Sequence, residues 1–325
     1  MINKLFVISF LIITATTIFC FRQPEQAIAQ VITTTTYSAQ PMAMNKSTTT
    51  QQQYNIAGPP LSNDSDILKI KFLANDISNR INTIASILEN TSKLSAVVNI
   101  PYANSINKTL HGIPDNLDIA KRKIAQQIIL QHSNSSFVSI AFLLSNGDIY
   151  MVEPYDRQLK LPINNLSHRD YFIGAVATHK PYLSQVFPTP VDDSNVATVS
   201  VPIYSKENNS NRNASLIGTW NGNINMNSIF QQAINDELTV FPKNKNMSNN
   251  YDEHIFLVDD AGNIAGQYNQ YNTKFFTDLQ SFKDAIAGKH GSKVETENNI
   301  KTMIFYNPVK FYSTTWAVLL IKSIS

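Results

Sequence analysis

The chain has one cysteine among 325 residues, Cys20, and it lies in an N-terminal apolar stretch. The folded part therefore has no disulfide, no thiolate chemistry and no cysteine-based metal site. Charge is scarce too: Asp, Glu, Lys and Arg make up 15% and the formal net charge is +2. With no basic run, nothing points to nucleic acid as a partner. Catalytic signatures are missing as well. There is no Gly-x-Ser-x-Gly elbow, no His-Glu-x-x-His, no phosphate-binding loop and no dinucleotide-binding glycine motif. The expectation is a protein that is not an enzyme and has no cofactor and no metal. Asp192-Asp193 and Asp259-Asp260 lack the alternating oxygen ligands of a calcium loop. Asp259-Asp260-Ala261-Gly262-Asn263 reads instead as a hairpin turn.

What is present is enough for a real core. Hydrophobic residues make up 43% of the chain, and its length suits one large or two small domains. Neutral Asn, Ser and Thr solvate the surface in place of charge. Lys4 followed by the apolar Leu5 to Phe21, with Ala27-Ile28-Ala29 before Gln30, reads as a targeting segment over 1–29. It is either a cleaved signal peptide or an uncleaved membrane anchor, and both place the remainder outside the cytoplasm. Nine Asn-x-Ser/Thr sequons are compatible with that location. Residues 30–60 are rich in Thr, Gln and Ser, and read as a disordered linker.

Between Leu61 and Ile100 there is no glycine or proline. Ile67, Ile70, Ala74, Ile77, Ile81, Ile84 and Leu88 recur three and four apart, which predicts one long helix from about Asp64 to Val98. Such a helix can brace two modules, form a homodimer, or do both. Leu117 to His132 is a second helix, with Leu117, Ala120, Ile124 and Ile128 on one face. Then the pattern turns to strands: Phe137–Leu144, a Ser-Asn-Gly-Asp turn, and Ile149–Glu153. Val196–Ser205 and Ser215–Ile224 follow. A second, weaker copy runs through His254–Gly266, a short helix and a closing hairpin. Gly147 and Gly262 mark equivalent turns; Val201-Pro202-Ile203 matches Asn307-Pro308-Val309, each before a strand with a Trp, Trp220 and Trp316. The fold class is α+β, and the modules should part between about Phe230 and Tyr251.

The candidate site is the run Asn165 to Phe187. Arg169 can grip a carboxylate with two parallel hydrogen bonds. At a helix N-terminus its charge opposes the dipole unless an anion is held there. Tyr171, Phe172 and Tyr182 can wall the same pocket or simply cover the sheet. His168 can reach the ligand or lie on the surface.

The blocks HRDYFIGAV, PYLSQVF, TVSVPIYS, LIGTWNGNI, IFLVDDAGNI and TTWAVLLI, in that order, resemble the double Cache family of extracytoplasmic sensor domains. The resemblance runs from about Asp64 to Lys322 and implies a long N-terminal helix followed by two PAS-like modules, each built on an antiparallel sheet. It implies a domain over 61–325: helix and connection at 61–110, a membrane-distal ligand module at 111–235, and a membrane-proximal type of module at 236–325. In the amino-acid-binding branch an Arg-x-aromatic takes the carboxylate, matched here by Arg169 and Tyr171. The ammonium is taken by tyrosines and an aspartate, and those positions hold Phe187, a residue near Asn164, and Asn223. The carboxylate half of such a site is therefore present and the ammonium half is largely missing, with Asp192 and Asp193 the acidic residues that could reach the pocket from its mouth. The expected ligand is a small organic carboxylate or a neutral polar molecule, bound by Arg169, Tyr171, Phe172, Tyr182, Phe187 and Asn223. Family receptors continue into a transmembrane helix and signalling domains, whereas this chain stops at Ser325. The expectation is a sensor that is secreted or tethered by its N-terminus, works through a separate membrane signalling partner, and can pair as a homodimer. The alternatives are a structural or cell-surface interaction protein that keeps the fold without a ligand, and an extracellular hydrolase.

Overall fold

A computed structural model describes residues 62–132, 137–189, 195–205, 214–241, 253–269, 275–297 and 300–323. The expected targeting segment and linker, and the Asp192-Asp193 pair, lie outside the described residues. Helix α1 (Ser62–Ser92) carries the long apolar stripe. Ile70, Ala74, Ile77, Ile81, Ile84 and Leu88 are all buried; Ile67, near the end, is half-buried. The helix is not unbroken to Val98. Thr91 Oγ1 donates to the carbonyls of Ile87 and Leu88, and Ser92 Oγ to that of Glu89. These side-chain bonds compete for the backbone of the last turn. Leu94 then turns extended before the four-residue α2 (Ser95–Val98).

Helix α3 (Ile119–Gln131) is capped by Asp118, which accepts the Lys121 amide. Its buried face differs from the expected one. Ala120 is exposed, while Lys121 and Arg122 are buried beside Ile124, Ala125 and Ile128. Both charges are satisfied inside. Arg122 pairs with Glu153 at 2.6 Å and donates to the carbonyls of Ile113 and Leu117. Lys121 Nζ sits 3.0 Å from Asp118, over the rings of Phe142 and Tyr150. Buried charges persist only when paired and hydrogen-bonded in this way.

The first module's sheet comprises β1 (Phe137–Leu144), β2 (Ile149–Glu153), β3 (Tyr182–Leu183), β4 (Phe187–Pro188), β5 (Asn195–Tyr204) and β6 (Leu216–Asn225). Its order is β2-β1-β6-β5-β3, with β4 also on β5 and every pairing antiparallel. Between β2 and β3 run α4 (Tyr155–Leu159) and α5 (Asp170–Thr178). Helix α6 (Met226–Val240) leads to the second sheet: β7 (Glu253–Val258), β8 (Ile264–Tyr268), β9 (Gly291–Glu297), β10 (Ile300–Phe311) and β11 (Thr314–Ser323). Its order, β8-β7-β11-β10-β9, repeats that of the first, and α7 (Gln280–Ile286) covers one face.

Two separate antiparallel sheets on one helix establish the α+β class with a long N-terminal helix. The repeat can be indexed through strand pairing. Gly147 and Gly262 both close the first hairpin of their sheet with positive φ, 83° and 90°. Pro202 faces Thr219 and Pro308 faces Ala317, so the prolines are equivalent. The tryptophans are not, because Val201 faces Trp220 whereas Val309 faces Trp316. They stand two residues apart, an even offset that keeps both on the same face of the sheet. Trp220 uses that face to donate from Nε1 to Thr91 of α1.

Candidate ligand cavity of the first module

The opposite face of the first sheet is floored by small and polar side chains. Ser139 and Ala141 of β1 point the same way as Asn221 and Asn223 of β6, their cross-strand partners. Leu161, Ile163, Leu166 and the start of α5 arch over them. Between floor and arch lies a cavity of about 240 Å³. Leu143, Val152 and Val196 contribute to its apolar wall, and Arg157 and Arg169 are the charged side chains among its described lining residues.

Arg169, Tyr171, Phe187 and Asn223 all line this cavity. They come from α5, β4 and β6, and the fold brings them together. Arg169 is the residue before α5, extended at φ −73° and ψ 140°, and uses no side-chain cap. Its guanidinium lies 5.0 Å from the centre of the Phe187 ring, a cation–π arrangement. Phe187 in turn stacks on Tyr171 at 6.4 Å. Burial holds the Tyr171 phenol well above its usual range, although the Arg169 charge pulls the other way, so it stays a neutral hydroxyl. Asn223 is anchored at both ends: its Oδ1 accepts from Thr198 at 2.6 Å and its Nδ2 donates to Ser139 at 2.8 Å.

The helix N-terminus is already occupied. Asp170 Oδ1 accepts the Tyr171 amide, and the Phe172 and Ile173 amides bond the Arg169 carbonyl. The negative group that answers the α5 dipole is therefore Asp170, and Arg169 faces the cavity through its guanidinium alone.

The structure does not place Phe172 and Tyr182 on the cavity wall. Phe172 is buried in the cluster that joins α5 to Leu143, Ile149 and Leu166. Tyr182 packs against α5 where Gly174 leaves room; a Cβ there would stand 2.4 Å from the ring. Its neighbour Leu183 accepts from Thr314 of the second module at 3.2 Å. Asn164 does not line the cavity either, its carbonyl taking the Ile149 amide of β2. His168 is exposed. Asn221, Ser139, Arg157 and Thr189 line the wall without having been singled out in the sequence. Only the strand alternation that puts Asn221 two residues before Asn223 carries a signal for the first of them.

The second module supports the cavity from behind. Asp259, fully buried in the β7–β8 turn, accepts the amides of Ala261 and Asn263 and, across the modules, that of Val186. Gln185 donates its amide to Asp170. The chain entering Phe187 is thus pinned from both sides. A wide-mouthed cleft of about 310 Å³ lies elsewhere, between the end of α1 and β5, and includes Glu89, Lys93, His179 and Tyr204. Among the described residues no cluster of His, Cys, Asp and Glu could hold a metal ion, and no helix is long and apolar enough to cross a membrane.

Solved structures share this architecture. The ligand-binding domain of the Pseudomonas aeruginosa PAO1 chemoreceptor PctB, in complex with L-Arg, superposes with a TM-score of 0.52 at 15% identity, covering 81% of this chain and 95% of that one. The PctC domain from the same organism, with GABA, gives 0.51 at 14%, over 80% and 99%. The CtaA domain of Pseudomonas fluorescens, with L-isoleucine, gives 0.50 at 13%, over 80% and 91%. No functionally curated protein matches the sequence. At these identities the likeness shows the fold. The family is shown by the sequence itself, which matches the double Cache model (dCache_1, Cache domain) over residues 28–325: the chain belongs to the Cache-domain family of sensory ligand-binding domains.

Proposed function

We propose that this protein is an extracytoplasmic sensor that binds a small organic carboxylate, or a neutral polar molecule, in the first-module cavity. One observation carries the reading. Arg169 lines a preformed cavity, and its guanidinium rests on an aromatic ring and makes no hydrogen bond or ion pair with any described residue. A guanidinium held so is placed for bidentate capture of a carboxylate. Tyr171 and Phe187 wall the same end, and Asn223 lies on the floor. Of the other residues expected at the site, Phe172 and Tyr182 act behind the wall, by holding α5 in place.

Neighbours of the same fold are solved with amino acids, whose ammonium groups need a negative partner once desolvated. Among the described lining residues here there is no Asp or Glu. Asn223 has both ends of its amide engaged and supplies no charge. The favoured ligand therefore has an anion or carbonyl for Arg169 and no ammonium. The protein is either secreted or tethered through residues 1–29. Pairing through α1 as a homodimer fits the same picture. The rival reading, an interaction protein that keeps the fold without a ligand, is disfavoured by a cavity that Phe187 walls but does not fill.

Calorimetry on the full chain tests this with small carboxylates and the common L-amino acids. A carboxylate should bind, and Arg169→Ala should weaken it about 30-fold or more with little loss of fold. Normal binding by Arg169→Ala would remove the assignment. A clear micromolar isotherm with an L-amino acid would overturn the exclusion of an ammonium.

A further inference from the structure

The cavity floor contains an acceptor that the protein leaves unused. Asn221 is 2% exposed and lines the cavity beside Asn223. Its Nδ2 donates to the carbonyls of Ala141 and Thr219, at 3.2 and 3.0 Å, and lies 3.0 Å from Thr219 Oγ1. Two of those partners are carbonyl oxygens, which only accept, so the orientation of the amide is set by its surroundings. The other end, Oδ1, is buried without a hydrogen-bond partner. Ser200, directly across from it on β5, has a buried Oγ in the same condition, and the two do not bond each other.

An acceptor stripped of water and left unpaired is costly, and native interiors rarely contain one without a reason. At the wall of a cavity the reason is a donor carried by the ligand. We propose that Asn221 is a specificity residue whose Oδ1 accepts from a neutral donor, a hydroxyl or an amide N–H, on an anion held at Arg169. The inference rests on the reading of this cavity as the ligand site. The donor is neutral because the described lining offers Arg157 and Arg169 as its charges and no carboxylate. An ammonium on the floor would meet a lone amide dipole, which does not offset its desolvation. The chemical class is therefore a hydroxycarboxylate or a carboxamide-bearing carboxylate.

A set of four-carbon acids separates the possibilities on the full chain by calorimetry: butyrate, the hydroxybutyrates with the hydroxyl on each carbon in turn, succinamate as the amide, and γ-aminobutyrate as the ammonium. At least one hydroxybutyrate or succinamate should bind about tenfold or more tighter than butyrate. In Asn221→Ala that advantage should disappear, with butyrate binding retained. The ranking on the unaltered protein decides the matter even if the variant folds poorly. Equal binding of all members, abolished by Arg169→Ala, would overturn the role of Asn221 and leave the cavity assignment standing. Tightest binding by γ-aminobutyrate would overturn the neutral donor. Binding by none of them, with Arg169→Ala indistinguishable from the unaltered chain, would overturn both.

Discussion

The two modules share strand order, hairpin turn and proline position, yet one borders a cavity where the other, among the described residues, holds a packed hydrophobic cluster. The residues on the helix-covered face of each sheet account for the difference. Strand pairing makes Ser139 equivalent to His254, Ala141 to Phe256, Asn221 to Leu319 and Asn223 to Ile321. It likewise makes Thr198 equivalent to Ile304 and Ser200 to Tyr306. The first set is small and polar, and the second is almost wholly large and apolar. Phe256 meets Phe276 edge to face at 5.0 Å, within a cluster that includes Phe282, Leu319 and Ile321. One backbone plan thus serves as a ligand site when its floor is Ser, Ala and Asn, and as a packed core when its floor is aromatic and branched.

Exchanging residues across the repeat is the strongest way to break this comparison. Phe256→Ala removes a fully buried ring from the second core and should cost about 3–5 kcal/mol in chemical denaturation. Ala141→Phe places the same ring in the first module, where there is space for it. It should lower affinity for any bound carboxylate about 100-fold or more while leaving the melting temperature level or higher. If Ala141→Phe destabilised as strongly as Phe256→Ala, the first module would be a packed core like the second.

Much of this layout is visible in the sequence, and the exceptions share a cause. The stripe from Ile70 to Leu88, the strands and both hairpin turns follow from periodicity and turn chemistry, which are local. The Arg169 loop was legible through its resemblance to family blocks. The burial of Lys121 and Arg122 is not, because it depends on Glu153, Gln158, Phe142 and Tyr150, which only the fold brings near. The end of α1 at Ser92 depends on side chains turning back onto carbonyls. Tyr182 read as a wall residue because an aromatic beside a ligand loop looks the same whether it faces the cavity or fills the notch at Gly174. The role of Asn221 is not legible in the sequence because an amide is a donor and an acceptor at once. Only the structure shows which half is spent.

The equivalent glycines sharpen the comparison at a smaller scale. Both need positive φ, so an alanine at either position is strained by about 1 kcal/mol. At Gly262 the added Cβ would meet Thr277 Cγ2 at 2.8 Å, a methyl that can rotate away. At Gly147 it would lie 2.6 Å from the backbone nitrogen of Ser167, in the segment leading to Arg169. Gly147→Ala should therefore cost at least about 2 kcal/mol, and Gly262→Ala about 1 kcal/mol, by urea titration. Only the former should also weaken carboxylate binding. Equal costs would mean that the first turn yields as readily as the second.

Charge also separates the modules, which differ in where they keep it. The second module is clamped to the start of α1 by Lys69 and Lys322, which contact Glu253 at 3.1 and 3.0 Å, with Asp66 2.8 Å from Lys322. Burial alone would raise the Glu253 carboxyl, but the two lysines overcome it and bring it down from 4.5 to about 2. A carboxyl depressed in the folded state stabilises above its unfolded value, and that stabilisation is lost as pH falls through the folded one. Asp66 runs the other way, since burial raises its carboxyl despite Lys322; it costs stability while ionised and regains it on protonation. Glu253→Gln should thus cost on the order of 1–2 kcal/mol at pH 7, after allowance for solvent screening of a partly exposed group. The gap from the unaltered protein should narrow as pH drops below about 4.5 and close near 2. Carboxylate affinity at pH 7 should not change, because Glu253 does not line the cavity. Urea titrations of both proteins between neutral pH and pH 2 measure the gap directly. A constant gap across that range would show that Glu253 acts through packing rather than charge. A fall in ligand affinity would show that the charged clamp at the base of α1 and the cavity in the first module are energetically one unit.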